Sequence, residues 1–309
     1  MIAAMYKNLR RVLRWPVRRV VFPTIARCWE AGFLLAGVLL RPSIRRIVPG
    51  TSGHVLVIAP HPDDETLGCG GTIARYVAAG DRVCVLVVTD GGSSRAGGIK
   101  RDEMRRLREM EAMRAVKALG QVELVQLGLP EGSWSLGELQ PLLGDLLQRE
   151  QPEVIYAPSC VDFHPEHLKV AQVLGRTLHA LTAAAQPTIR IYELQVPLTP
   201  VLANVAVEVR GWAAEKKARA LAQYKTQQGS FGWVPRHSKY LRRLYRTSGP
   251  VEVFWELESE SYCRLMEVSE GTGKYRSIRL RPFGDGLAWL VGLRERCRLK
   301  SLVQERATE

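Results

Sequence analysis

His54-Val55-Leu56-Val57-Ile58-Ala59 runs directly into Pro60-His61-Pro62-Asp63-Asp64-Glu65 and then into Thr66-Leu67-Gly68-Cys69-Gly70-Gly71. After His54 the next five residues are apolar without alternation, the pattern of a strand buried on both faces rather than a half-exposed one. The glycines open a helix expected over 66–79, closed by Gly80. Arg82–Thr89 (RVCVLVVT) reads as a second buried strand, 90–98 (DGGSSRAGG) as a loop, and 99–119 as a long charged helix ending at Gly120. Further strands are expected at 123–127, 153–157 and 188–194, with helices at 136–148 and 165–184. Strands alternating with helices at this spacing form βαβ units. The fold class is therefore α/β, a Rossmann-like doubly wound, mostly parallel sheet with its core over 54–195. Residues 196–273 are less regular: a helix is expected at 212–227, a Gly/Pro/aromatic loop at 229–235, and 229–273 is a candidate lid.

Around this core the charge is uneven. The 309 residues carry 44 Lys and Arg against 31 Asp and Glu, a net charge of +13. Residues 1–46 hold ten basic side chains and one acidic, Glu30; residues 274–309 hold nine basic and four acidic. That leaves −1 for residues 47–273, so the body is neutral and the ends are basic. A neutral body argues against nucleic acid as a partner, which would call for a charged groove. The N-terminal segment places Trp15, Phe22, Ile25 and Trp29 among its arginines, then runs apolar over 31–40. Ten residues are too few to cross a bilayer, which takes about 20. An Arg-rich helix with aromatic and aliphatic groups suits an anionic membrane interface; packing on the body is the plainer alternative. The expected division is a basic amphipathic extension at 1–48, a catalytic domain at 49–273, and a basic helical extension at 274–309. Six cysteines, far apart and without a C-x-x-C pair, suit a reducing compartment. The expected location is the cytoplasm, peripheral on the inner face of the membrane.

Open α/β sheets bind ligands outside the carboxyl ends of their strands. Two loops there carry chemistry. His61-Pro62-Asp63-Asp64-Glu65 follows the first strand, and Asp162-Phe163-His164-Pro165-Glu166-His167 follows the strand at 153–157. Acids at such places are common helix caps, and a lone histidine there is more often structural than a ligand. Two such loops at matching positions favour a mononuclear metal site, in which histidine and carboxylate leave a position open for water. Zn²⁺ is the expected cofactor; Fe²⁺ remains open, because two histidines and a carboxylate also hold non-haem iron. A spare carboxylate beside the ligands favours hydrolysis.

At these residues the chain resembles the LmbE-like, PIG-L de-N-acetylase family, zinc hydrolases that remove the acetyl group from N-acetylglucosamine in glycoconjugates. The resemblance covers about residues 54–195. It includes Leu67-Gly68-Cys69-Gly70-Gly71, an Arg108-x-x-Glu111 pair and, more loosely, Lys217, Tyr224 and Gln227-Gln228. The second motif has Glu166 where the family often has Asp, and the loop at 89–100 is longer and richer in Gly and Ser than usual. The resemblance implies His61, Asp64 and His167 as metal ligands and Asp63 as the base that takes a proton from the attacking water. It implies that His164 stabilises the oxyanion or protonates the departing amine, with Glu166 orienting it. Arg95, Arg108, Lys225 and Trp233 are candidate substrate contacts. The implied substrate is an N-acetylglucosamine-containing small molecule or glycolipid. Two alternatives stay open: a metal-dependent hydrolase of another amide or ester, and a catalytically silent glycolipid-binding protein of the same fold.

Overall fold

Alternate residues of the strands feed two separate cores, one on each side of a single sheet. Leu56, Ile58, Cys84, Leu86 and Val88 face one core; Val55, Val57, Ala59, Val83, Val85 and Val87 face the other. This is what an unalternating apolar run means physically: both faces are covered. The computed structural model describes residues 43–50, 53–94, 96–162, 164–181, 186–194, 196–271, 296–301 and 303, with Thr24, Cys28, Ala31, Gly32, Leu34, Leu35, Val38 and Leu39.

The strands are β1 (Arg45–Ile47), β2 (His54–Ala59), β3 (Arg82–Thr89), β4 (Glu123–Leu129), β5 (Val154–Ala157), β6 (Thr188–Tyr192), β7 (Val205–Glu208) and β8 (Val251–Glu258). They lie in the order β1-β7-β8-β6-β5-β2-β3-β4. Every neighbouring pair is parallel except those of β8, which runs antiparallel to both β6 and β7. The chain reverses its direction of winding between β2 and β5, whose register pairs Val55 with Val154, Leu56 with Ile155 and Val57 with Tyr156. A crevice opens at such a reversal, and both histidine loops leave the sheet there.

The helices are α1 (Asp64–Ala79), α2 (Arg101–Leu119), α3 (Leu136–Glu150), α4 (Pro165–Ala180), α5 (Trp212–Leu221), α6 (Val234–Leu244) and α7 (Ser259–Gly271). Their starts follow local chemistry. Ser135 and Glu138 form a reciprocal capping box at α3, and Pro165 occupies the first turn of α4, with His164 as its N-cap. Helix α1 is glycine-rich because it lies unusually close to the sheet. A Cβ on Gly71 would fall 1.9 Å from Val209 Cγ1, and one on Gly68 would fall 2.6 Å from Tyr192 Cδ2. Gly71→Ala should therefore lower stability by about 1–3 kcal/mol through overpacking, read as a shift of the urea midpoint; an unchanged midpoint would mean that the helix can retreat.

The region 196–273 is more regular than expected. It supplies β7, β8, α6 and α7, so the sheet continues well past residue 195. Residues 251–258 sit in the middle of the sheet and cannot act as a lid. The helix expected at 212–227 stops at Leu221, and a 3-10 segment, Lys225–Trp233, follows. The extension placed at 1–48 is not separate from the body throughout, since β1 pairs with β7 at its end. At the other terminus, Arg296 is buried and donates to the Pro197 carbonyl at 2.6 Å, while Leu299 enters a core. The described part of the basic C-terminal extension is thus a docking helix.

Candidate active site

The two loops meet above β2 and β5. His61 Nδ1 lies 3.2 Å from Asp64 Oδ2 and 3.2 Å from His167 Nε2, and His167 Nε2 lies 3.2 Å from Asp64 Oδ2. Three donor atoms thus form an equilateral triangle. Tetrahedral ligands with bonds of about 2.1 Å to a metal sit about 3.4 Å apart, so the triangle has the size such an ion requires. Other groupings come near, namely His61, His164 and His167, or His61, Glu131 and Glu166. The first triangle is favoured by what stands behind it.

Each imidazole is backed by a carboxylate on its far nitrogen. His61 Nε2 lies 2.8 Å from Glu166 Oε2, and His167 Nδ1 lies 3.1 Å from Asp162 Oδ2. Such pairing fixes the tautomer and the ring orientation of histidine ligands. Glu166 is itself held by Gly132 N at 2.7 Å and Trp134 Nε1 at 2.9 Å. It therefore orients His61, not His164 as the sequence suggested, because α4 turns its first-turn acid toward the opposite loop. Asp162, Glu131 and Trp134 were not singled out from the sequence. Asp162 stands inside the second motif, but nothing in its spacing marks it as the partner of His167.

The electrostatics suit a cation. Burial disfavours charge on all these groups, yet Asp64 is held well below the usual carboxylate range by His167 and His61. Burial lowers His61, but Asp64 and Glu166 outweigh it and lift the imidazole to about 9. His167 is raised too, by Asp64 and Asp162 against burial. A cluster that draws protons onto two imidazoles attracts positive charge in general. His164 behaves oppositely: burial, with His61 and His167 nearby, pushes it down to about 4. It is therefore a neutral imidazole at pH 7. Its ring meets that of His61 edge-on, with centroids 4.5 Å apart.

Asp63 stands beside the triangle in a backbone conformation that L-residues rarely adopt, with φ 128°. Arg108 holds it there. Its guanidinium donates to Asp63 Oδ2 at 3.2 Å and to the Pro62 carbonyl, and it is only 3% exposed. Arg108 also borders the cleft, and its hydrogen bonds go to the loop that carries Asp63. Burial pushes Asp63 up to about 7 even against the Arg108 charge. Three residues on from Arg108, on the same helix, Glu111 accepts from Thr226 N at 2.9 Å and Thr226 Oγ1 at 2.7 Å, anchoring the 3-10 segment. Tyr224 donates to Glu65, and Lys217 to the Leu67 carbonyl at 2.7 Å.

His61, Asp63, Asp64, Arg108, His164 and His167 line a cleft of about 240 Å³ together with Gln227, Phe231 and Trp233. The expected contact Trp233 borders it, while Lys225 is not among the residues lining it. Arg95 lies outside the described residues.

Residues 56–178, which contain both loops, match the family described as PIG-L, GlcNAc-PI de-N-acetylase. An uncharacterized deacetylase of Escherichia coli (strain K12), YaiS, is 30% identical over 144 residues, spanning 43% of this chain and 74% of that protein. A probable N-acetyl-alpha-D-glucosaminyl L-malate deacetylase 2 of Bacillus anthracis is 27% identical over 144 residues, spanning 44% of this chain and 63% of that one. The N,N'-diacetylchitobiose deacetylase from Pyrococcus horikoshii shares the fold, with a TM-score of 0.58 at 21% identity over 69% of this chain and 86% of that chain. With a histidine–carboxylate cluster at the switch point of its sheet, the chain belongs to the PIG-L de-N-acetylase family.

Proposed function

We propose that the chain is a metal-dependent N-deacetylase that hydrolyses the acetamide of an N-acetylglucosamine-containing molecule. His61, Asp64 and His167 hold the metal, with Zn²⁺ the best match to two imidazoles and one carboxylate. The observation that carries the reading is the 3.2 Å triangle backed by Glu166 and Asp162, with Asp63 standing next to it. A cleft of about 240 Å³ lies below the roughly 300–1,000 Å³ of sites that enclose a drug-sized ligand. One acetamido sugar fits it better than an oligosaccharide.

When bound there, a divalent metal supplies Lewis-acid polarisation of the acetamide carbonyl and a water that loses its proton near neutral pH. Asp63 accepts that proton as the water oxygen attacks the carbonyl carbon. Neutral His164 donates an N–H to the oxygen on which negative charge develops. The C–N bond then breaks as Asp63 returns the proton to the departing nitrogen, which leaves acetate and a free amine. A carboxyl with a pKa raised toward neutrality suits both halves of that transfer. The test is acetate release from N-acetylglucosaminides by the purified, zinc-loaded protein; no release from any of them under loading verified by metal analysis would overturn the reading. Asp162→Asn should weaken zinc binding about 10–100-fold by removing the charge behind His167, measured by competition with a chelating dye. Unaltered affinity would exclude that role.

A membrane surface as the place of work is supported by a second observation. The described residues between Thr24 and Leu39 are helical. Leu34 packs against the core, whereas Leu35 and, three and four residues on, Val38 and Leu39 are 58%, 57% and 73% exposed. Apolar side chains on one helical face within a segment rich in arginine fit an anionic bilayer. Insertion contributes about 1.5–3 kcal/mol per fully buried side chain, and each basic group near the surface adds about 1 kcal/mol. Among the described residues no helix is long and apolar enough to span a membrane. Binding to phosphatidylglycerol vesicles should fall at least tenfold in a Leu35→Glu/Leu39→Glu double variant; equal binding would remove the membrane from the proposal.

A further inference from the structure

Beside the catalytic cleft lies a second chamber of about 170 Å³, and the two share Leu67 and Trp233 as walls. Helices α5 and α6 form its sides, through Ala214, Ala218 and Leu221 on one and Val234 and Leu241 on the other, and β8 lies beneath. Four ionisable side chains face it, and each has a partner within the protein. Lys217 Nζ lies 2.6 Å from Glu252 Oε1, whose carboxylate also accepts from Gly71 N and Thr72 N at 2.8 Å each. His237 Nε2 lies 2.8 Å from Glu193 Oε1, and Leu198 N donates to the other Glu193 oxygen at 2.7 Å. With these polar groups hydrogen-bonded within the protein, what the chamber offers an occupant is mainly hydrocarbon.

We propose that this chamber binds an uncharged hydrocarbon group carried by the substrate next to its acetamido sugar, the first methylenes of an alkyl or acyl chain. The proposal rests on the deacetylase reading and adds a substrate class to it. Three observations carry it: the border shared with the cleft at Leu67 and Trp233, the aliphatic walls, and the volume. A buried apolar cavity of about 150 Å³ takes a benzene molecule, so about 170 Å³ admits a group of about six heavy atoms. Trp233 joins the 3-10 segment to α6 and is half-buried between the two spaces, so one side chain borders both the sugar and its apolar substituent.

The experiment compares methyl, butyl and hexyl N-acetyl-β-glucosaminides by acetate release, together with calorimetric titration by hexyl β-glucoside, which has no acetamide. Full burial of a methylene is worth about fourfold in affinity. With the chain only partly buried, kcat/KM should rise on the order of 10–100-fold from methyl to hexyl, and hexyl glucoside should bind. Ala218, exposed on α5, can accept a ring without disturbing the core, and in Ala218→Phe the hexyl-to-methyl ratio should fall toward one. Equal kcat/KM along the series overturns the proposal, even though acetate release itself would uphold the deacetylase reading. Hexyl glucoside binding that Ala218→Phe abolishes, with no acetate released from any glycoside, would uphold the chamber and overturn the reaction.

Discussion

Asp63→Asn should lower kcat by about 10²–10⁴-fold while the protein retains its full complement of zinc. Asparagine matches the shape of aspartate and still offers an oxygen to Arg108, so the loop geometry survives, but it cannot take a proton from water or return one to an amine. Asp63 is no vertex of the 3.2 Å triangle, which explains why metal content should not follow activity. The pH profile gives a second readout. Burial drives Asp63 up to about 7, while a bound dication works against burial. The acid limb of kcat/KM should therefore lie between the ordinary carboxylate range and about 7, with activity rising as pH climbs through it and Asp63 ionises. Asp63→Asn should abolish that limb. A variant retaining more than a tenth of wild-type kcat would remove Asp63 from the role of base.

Asp64→Ala should do the reverse, losing the metal and, with it, activity down to background. Asp64 is the only anionic vertex of the triangle, and its Oδ2 also accepts from the His61 backbone N–H at 2.9 Å. Losing a direct ligand should cost more than the about 10–100-fold typical of residues behind the ligands. The protons provide an independent check. His61 and His167 are raised largely because Asp64 faces them, so zinc must displace protons from the wild-type site. Zinc affinity should increase with pH up to about 9, where His61 gives up its proton. In Asp64→Ala both imidazoles fall back toward or below their ordinary value, and the pH dependence of the residual binding should flatten. Stoichiometric zinc in Asp64→Ala, measured after dialysis, would show that another trio of side chains holds the ion.

Much of this architecture was legible before any coordinates. Strands buried on both faces leave continuous apolar runs, and β2 and β3 fall where those runs lie. The site was legible because histidines and carboxylates clustered directly after two such strands. What escaped reading has physical reasons. In Val251-Glu252-Val253-Phe254-Trp255-Glu256-Leu257-Glu258 the acids gave the run a mixed character, yet Glu252 is buried because α1 supplies backbone N–H donors to it. Local pattern cannot reveal a partner 181 residues away. Likewise Asp162 and Glu166 look alike as acids near a helix start, and only the packed loops show that one backs His167 and the other His61. Arg108 reads from sequence as a cation free to meet substrate, because nothing nearby in the chain indicates that Asp63 will stand against it.

The pairing of β2 with β5 acts as the ruler of the active site. One residue along a strand is about 3.3 Å, while the edge of the donor triangle is 3.2 Å. A slip by a single position would carry one histidine arm a full triangle edge away from the other, and it would also turn every β2 side chain from one core to the other. The interleaving of Leu56 and Ile58 against Val55 and Val57 thus does for the reaction centre what no residue in the loops can do alone. It sets the gauge between two arms that lie 106 residues apart in the chain. Length changes within β2 or β5 should accordingly be far less tolerated than changes in the loop at 90–98, and selection on the chemistry should be felt as selection on strand register.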